Sequence, residues 1–186
     1  MRRKSIPLAI VALTLSASAL AAEVNVKFTA NIVQPTCDMS LIAYGGSAVT
    51  TTGTNTYQIR IPDIRLDLLR AKGADTQANF TLKPANCSGL TALKTTLKAE
   101  KVSTYEPVLA VPSVSTGKAT NVGVAFRRQS SSSDIYFRLN NDETITWTAD
   151  ERANGLNLSA AMRETLTGSG TTGPFDAKIT FNFTYE

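Results

Sequence analysis

Five apolar side chains spaced two apart, Ala177, Ile179, Phe181, Phe183 and Tyr185, fall within the last ten positions of the chain. A period of two over that length belongs to a β-strand with one buried face. From Ile179 to Tyr185 there is no charge, Pro or Gly, which are the devices that natural proteins use to blunt a strand edge. The chain thus finishes on a long hydrophobic strand with no further strand after it to cover that edge. A second stretch has the same pattern near the other end: Val24, Val26, Phe28, Ala30 and Ile32 alternate with Asn25, Lys27, Thr29 and Asn31 ahead of the first Cys. On these residues alone, that stretch reads either as an ordinary first strand of a closed sandwich or as a strand with nothing in its own domain to hold one side.

Shorter alternations lie between the two ends. Tyr57, Ile59 and Ile61 form one, Val122, Val124 and Phe126 another, and Ile135, Phe137 and Leu139 a third. Turn signals separate them at Gly45 and Gly46, at Asn140, Asn141 and Asp142, at Asn154 and Gly155, and from Gly168 to Pro174. Residues 64–71 have the only helical look, with Leu66, Leu69 and Arg70 on a short amphipathic turn before Gly73. Short strands at regular spacing with Thr-rich outward faces predict an all-β sandwich of immunoglobulin-like character. No second domain, repeat or coiled coil is expected.

The first residues set the compartment. Arg2, Arg3 and Lys4 precede a mostly apolar run over residues 6–20, and Ala19, Leu20 and Ala21 form an A-x-A site. This is the pattern of a secretory signal peptide over residues 1–21. A membrane anchor is the alternative, but the run falls short of the roughly 20 apolar residues that a span needs. The formal charge of +4 and pI near 9.2 invite a nucleic-acid reading. Cleavage after Ala21 removes three of the 19 basic side chains and none of the 15 acidic ones, so the near-neutral remainder gives that reading no support. Export also makes Cys37 and Cys87, the only two cysteines, a structural disulfide rather than two buried thiols. Closing a loop of that size stabilises by about 4 kcal/mol in the chain-entropy account.

In the order and spacing of its pieces, the chain resembles the type 1-like fimbrial (pilin) subunits of the chaperone-usher pathway. The N-terminal piece is AEVNVKFTANIVQPTC, an alternating extension ending at the first Cys; the middle piece is FTLKPANCSG, a strand leading into the second. The last is GPFDAKITFNFTYE, with Gly173 fourteenth from the end and Tyr185 penultimate, the offsets of the family's chaperone-recognition pattern. Taken alone, Gly173 would read as a turn glycine and Tyr185 as a core aromatic. The resemblance implies an incomplete immunoglobulin-like sandwich lacking its last strand, preceded by an N-terminal donor-strand extension. Residues 22–35 would be that extension and residues 36–186 the pilin domain.

In such subunits the open core forms a groove beside the C-terminal strand, which a periplasmic chaperone fills until the extension of the next subunit replaces it at an outer-membrane usher. Backbone pairing then supplies affinity and alternate side chains supply specificity. On this basis Val24, Val26, Phe28, Ala30 and Ile32 would be given to a neighbouring subunit, and Gly173, Ile179, Phe181, Phe183 and Tyr185 would form the recognition and acceptor surface. Four sizeable apolar groups are worth roughly 6–12 kcal/mol gross, before ordering costs. Many family members carry Gly where this chain has Ala30. The C-terminal carboxylate after Glu186 is expected to meet basic residues of the chaperone. The implied partners are therefore the chaperone, the usher and neighbouring pilin subunits in the cell-surface fimbrium, with a host receptor where the subunit is a minor adaptor or binding subunit. A fibre-terminating subunit is a further place for it.

Little else in the sequence carries chemistry. Without any His, the commonest general base and every His-ligated zinc site are missing. Asp142 with Glu143, and Asp150 with Glu151 and Arg152, are expected to be solvated charges in turns, and Arg127 with Arg128 a solvated strand end. Trp147 is expected in the core or on a sheet face, with an aromatic sugar platform as the alternative. No catalytic residue, metal or cofactor is expected, and the Asn79 sequon implies no glycan in bacterial secretion.

Overall fold

A computed structural model of the chain describes residues 24–32, 37–45, 47–87, 90–131 and 135–186. The expected signal peptide lies outside the described residues. The strands run in chain order as β1 (Val24–Ile32), β2 (Asp38–Tyr44), β3 (Ala48–Gly53), β4 (Thr56–Ile61), β5 (Gln77–Ala85) and β6 (Leu93–Ala99), then β7 (Val122–Arg128), β8 (Ile145–Thr146), β9 (Leu156–Glu164) and β10 (Phe175–Tyr185). Among the described residues two short α-helices interrupt them, α1 (Leu66–Ala71) and α2 (Ala149–Asn154), with a 3-10 turn at Ala74–Thr76.

The strands form two sheets, one of six strands in the order β3-β4-β1-β10-β6-β8 and one of four in the order β2-β5-β9-β7. Every pairing is antiparallel except that of β1 with β10. This is the all-β, immunoglobulin-like sandwich that the alternation predicts. The period of two on β10 becomes one buried face: Phe175, Ala177, Ile179, Phe181 and Phe183 are buried while Lys178 and Thr184 are exposed. Ile59 and Ile61 on β4 are fully buried in the same core.

Aromatic rings tie the sheets together. Phe181 of the six-stranded sheet meets Phe80 and Phe126 of the four-stranded sheet edge-on at 6.3 and 5.9 Å, and those two rings meet each other at 6.3 Å. Each such pair adds about 0.5–1.5 kcal/mol beyond its area burial. Trp147 is buried against Phe183 at 6.4 Å, and its indole N–H donates to Thr95 Oγ1 at 2.8 Å; it is a core residue. The Cys37–Cys87 disulfide is formed.

Some local expectations are corrected. The alternation at Ile135, Phe137 and Leu139 is not a strand. Phe137 and Leu139 do enter the core, and the Phe137 N–H donates to the Phe126 carbonyl at 2.8 Å, but Ile135 is exposed. One bond to the edge of β7 and an isolated bridge to β6, where the Ala99 N–H donates to the Leu139 carbonyl at 2.9 Å, seat this segment where a ladder would make it a strand. The helix expected over residues 64–71 starts at Leu66, and Lys72 takes the left-handed cap at φ 55°. Its N–H bonds the Leu69 carbonyl, and the last turn closes through Gly73 N–H to Leu68.

Candidate functional site: the gap between β4 and β10

Residues 37–186 by themselves leave the six-stranded sheet in two pieces. β3 pairs with β4, and β10 pairs with β6, which in turn pairs with β8, but β4 and β10 share no ladder. The space between them is one strand wide, and the chain's own β1 occupies it. On one side β1 runs parallel to β10, with Val24 opposite Phe175, Val26 opposite Ala177, Phe28 opposite Ile179, Ala30 opposite Phe181 and Ile32 opposite Phe183. On the other it runs antiparallel to β4, from Val24 opposite Ile61 to Thr29 opposite Thr56. The residues singled out at the two ends of the sequence are thus brought together, and the apolar positions of β1 fall opposite the buried positions of β10.

The start of β10 is pinned at Gly173. Its φ of +151° is one that L side chains rarely adopt, and a Cβ there would lie 2.7 Å from the Ala119 nitrogen. The glycine lets the chain pass against residues 118–119, where the Ala119 N–H donates to the Pro174 carbonyl at 3.0 Å and Lys118 Nζ pairs with Asp176. An apolar cavity of about 40 Å³ opens beside it, lined by Ile64, Leu66, Leu69, Val122, Met162 and Phe175.

The far end of β10 is held as firmly. The Glu186 carbonyl accepts from the Thr91 and Ala92 N–H groups at 2.8 and 2.9 Å and from Thr91 Oγ1 at 2.7 Å. Its N–H donates to Ala92 at 3.0 Å, and its side chain pairs with Lys94. Tyr185 sits opposite Leu93. Its hydroxyl is buried and makes no hydrogen bond, and burial, reinforced by the nearby Asp38 carboxylate, pushes its pKa up to about 12.

The charges expected to be solvated are mostly in use. Arg127 is buried, with Nη1 on the carbonyls of Arg128, Gln129 and Ser131 and Nη2 on Gln77. Arg128 makes a two-pronged pair with Glu151 at 2.8 and 3.2 Å. Glu151 also closes a capping box with Thr148 at the start of α2. Burial raises the Glu151 carboxyl, but Arg128 and the Thr148 N–H outweigh it and hold the group below its ordinary range. The Thr-x-x-Glu spacing was the signal for α2. Glu143 accepts the Arg138 N–H, and Asp142 bonds Asn140. Among the described residues, no group of three or more His, Cys, Asp or Glu side chains gathers to hold a metal.

Comparison with known proteins places the chain in a family. A family model described as fimbrial protein matches residues 26–186. The chain is 36% identical over 182 residues to the fimbrial-like protein YadM of Escherichia coli (strain K12), covering 95% of this chain and 94% of that one. It is 23% identical over 175 residues to the fimbrial-like protein YfcP of the same strain, covering 93% and 89%. With the family matched from β1 through the last residue, the chain belongs to the fimbrial protein family.

Proposed function

We propose that this protein is a structural subunit of an adhesive surface fibre that polymerises by giving β1 to a neighbouring copy or related subunit and receiving another's extension between its own β4 and β10. The observation that carries the reading is the one-strand gap, which the N-terminal extension fits on both edges. In the isolated chain the extension lies in its own gap, and exchange moves the same backbone pairings to a second molecule. The gross hydrophobic gain is retained while an intramolecular strand becomes an intermolecular one. Export through the periplasm, delivery by a chaperone to an outer-membrane usher and a role without catalysis belong to the same reading. Gly173 and Tyr185 are its recognition points.

The test is deletion of residues 22–32. The shortened chain should still be captured by the chaperone yet fail to join a preceding subunit, and the ladder of SDS-resistant multimers expected in unboiled fibre preparations should lose this chain. Normal incorporation of the deletion would sink the donor-strand assignment.

A further inference from the structure

The strand that fills the gap between β4 and β10 is mismatched to it at two places. Along the ladder with β10, Lys27 takes the register position opposite Lys178. Strands in a sheet lie about 4.8 Å apart, and cations at paired positions repel. Lys98 lies across β10 from the same place, opposite Thr180, and Lys98 and Lys178 line one polar hollow of about 470 Å³ with Asn141 and Asn182. Other lysines beside β10 are matched, Lys94 by Glu186 and Lys118 by Asp176, which leaves Glu100 as the carboxylate of the hollow. Among the described residues neither Lys98 nor Lys178 makes an ion pair. Two lysines thus share one carboxylate before Lys27 is brought to the row.

The second mismatch is apolar. β1 leaves β4 at Thr29, opposite Thr56, and Ala30, Asn31 and Ile32 pair with β10 alone. Phe181 and Phe183, the register partners of Ala30 and Ile32, line an apolar cavity of about 10 Å³ there with Met39, Leu41 and Leu82 of the four-stranded sheet. Atoms around a void lack the contacts that a filled site would give them. Ala30 is the smallest of the five apolar residues on β1, and it stands at the position opposite Phe181.

We propose that the gap selects an extension unlike the chain's own, one with Asp or Glu at the position opposite Lys178 and an aliphatic residue larger than Ala at the position opposite Phe181. A carboxylate there meets Lys178 and Lys98 where Lys27 meets like charge, and the larger side chain fills the cavity beside Phe181. Lys178 is then the specificity-determining residue, because one ammonium group attracts the fitting donor and repels the other. The strand that this subunit receives comes from a different subunit, and a second copy of this chain is disfavoured as the donor. The inference rests on strand exchange and names the partner in that exchange.

The test refolds the purified chain, disulfide intact, from urea with a large excess of fluorescent peptides spanning residues 22–35, and measures the peptide that co-elutes with the protein in gel filtration. The Lys27→Glu peptide should be captured about two- to fivefold better than the wild-type peptide, as a cross-strand charge pair supplies. The order should invert in a Lys178→Glu chain. High salt should erase the Lys27→Glu advantage and leave that of an Ala30→Val peptide, which should also exceed the wild type; the salt response decides if Lys178→Glu does not refold. Equal capture of the wild-type and Lys27→Glu peptides overturns the proposal while strand exchange stands. So does an advantage that survives both Lys178→Glu and high salt, or an Ala30→Val peptide captured no better than wild type. Capture of no peptide by any chain is the failure of strand exchange itself and removes the proposal with it.

Discussion

The two sheets of the sandwich are completed in different ways. The four-stranded sheet draws all its strands from residues 38–164, pairs them antiparallel throughout and is covered on its outer face as well, where Ala125, Arg127, Ser159, Ala161 and Arg163 are buried. The six-stranded sheet is continuous only through β1, which precedes Cys37 in the chain. One core therefore has a wall complete within residues 38–164 and a wall completed by the strand ahead of Cys37. Buried side chains line both walls; what differs is whether a wall depends on the strand ahead of Cys37. Hydrophobic burial and topological closure are separate properties, and this molecule satisfies the first on both sides and the second on one.

Substitution on each wall sharpens the contrast. Phe181→Ala and Phe80→Ala each remove a ring from the same three-ring cluster, and each should cost about 3–5 kcal/mol in urea unfolding. Only Phe181→Ala should also loosen β1, read as faster limited proteolysis ahead of Cys37. Equal acceleration by both would mean that the sheets open as one unit. A smaller effect is expected at the start of β10. Gly173→Ala meets both an unfavourable φ and the Ala119 nitrogen and should cost about 1–3 kcal/mol. Gly168→Ala, with φ +74° and open space around it, should cost less, and equal losses would remove the case for a close approach at Gly173.

The smallest effect is at Tyr185. Tyr185→Phe deletes a buried hydroxyl that makes no hydrogen bond, so stability near neutral pH should change by less than about 0.5 kcal/mol. The alkaline limb should differ. Because the folded-state pKa is raised from 10.0 to about 12, the unfolded chain releases its phenolic proton first, and the wild type loses stability as pH rises from 10 toward 12. The variant should lack that loss, and identical alkaline limbs would place the hydroxyl in water. If Tyr185→Phe also reduces chaperone capture, recognition and folding are separable at this residue.

Much of the six-stranded sheet was legible because its pattern is local. On β10 apolar and polar residues alternate without interruption, and β1 and β4 show the same period, so each strand can be read without knowing its neighbours. The outer face of the four-stranded sheet was not legible, because Ser159, Ala161 and Arg163 give no contrast with the core side of β9 and an arginine reads as exposed. Its burial depends on Tyr136 and Thr76, 27 and 87 positions away. The same holds for Arg128 and Glu151, whose pairing joins two segments that each look solvated. At Ile135, Phe137 and Leu139 the alternation was real but the neighbouring ladder was missing, and periodicity cannot report a partner.

The disulfide has a mechanical consequence. Cys37 immediately precedes β2, whose first ladder pair is Asp38 with Ala85, and its partner Cys87 lies just beyond β5. Tension entering along the chain ahead of Cys37 would otherwise peel the β2–β5 ladder one rung at a time from that end. The covalent link stands before the first rung, so the load crosses directly to the end of β5 and the hydrogen bonds of the ladder are not pulled in sequence.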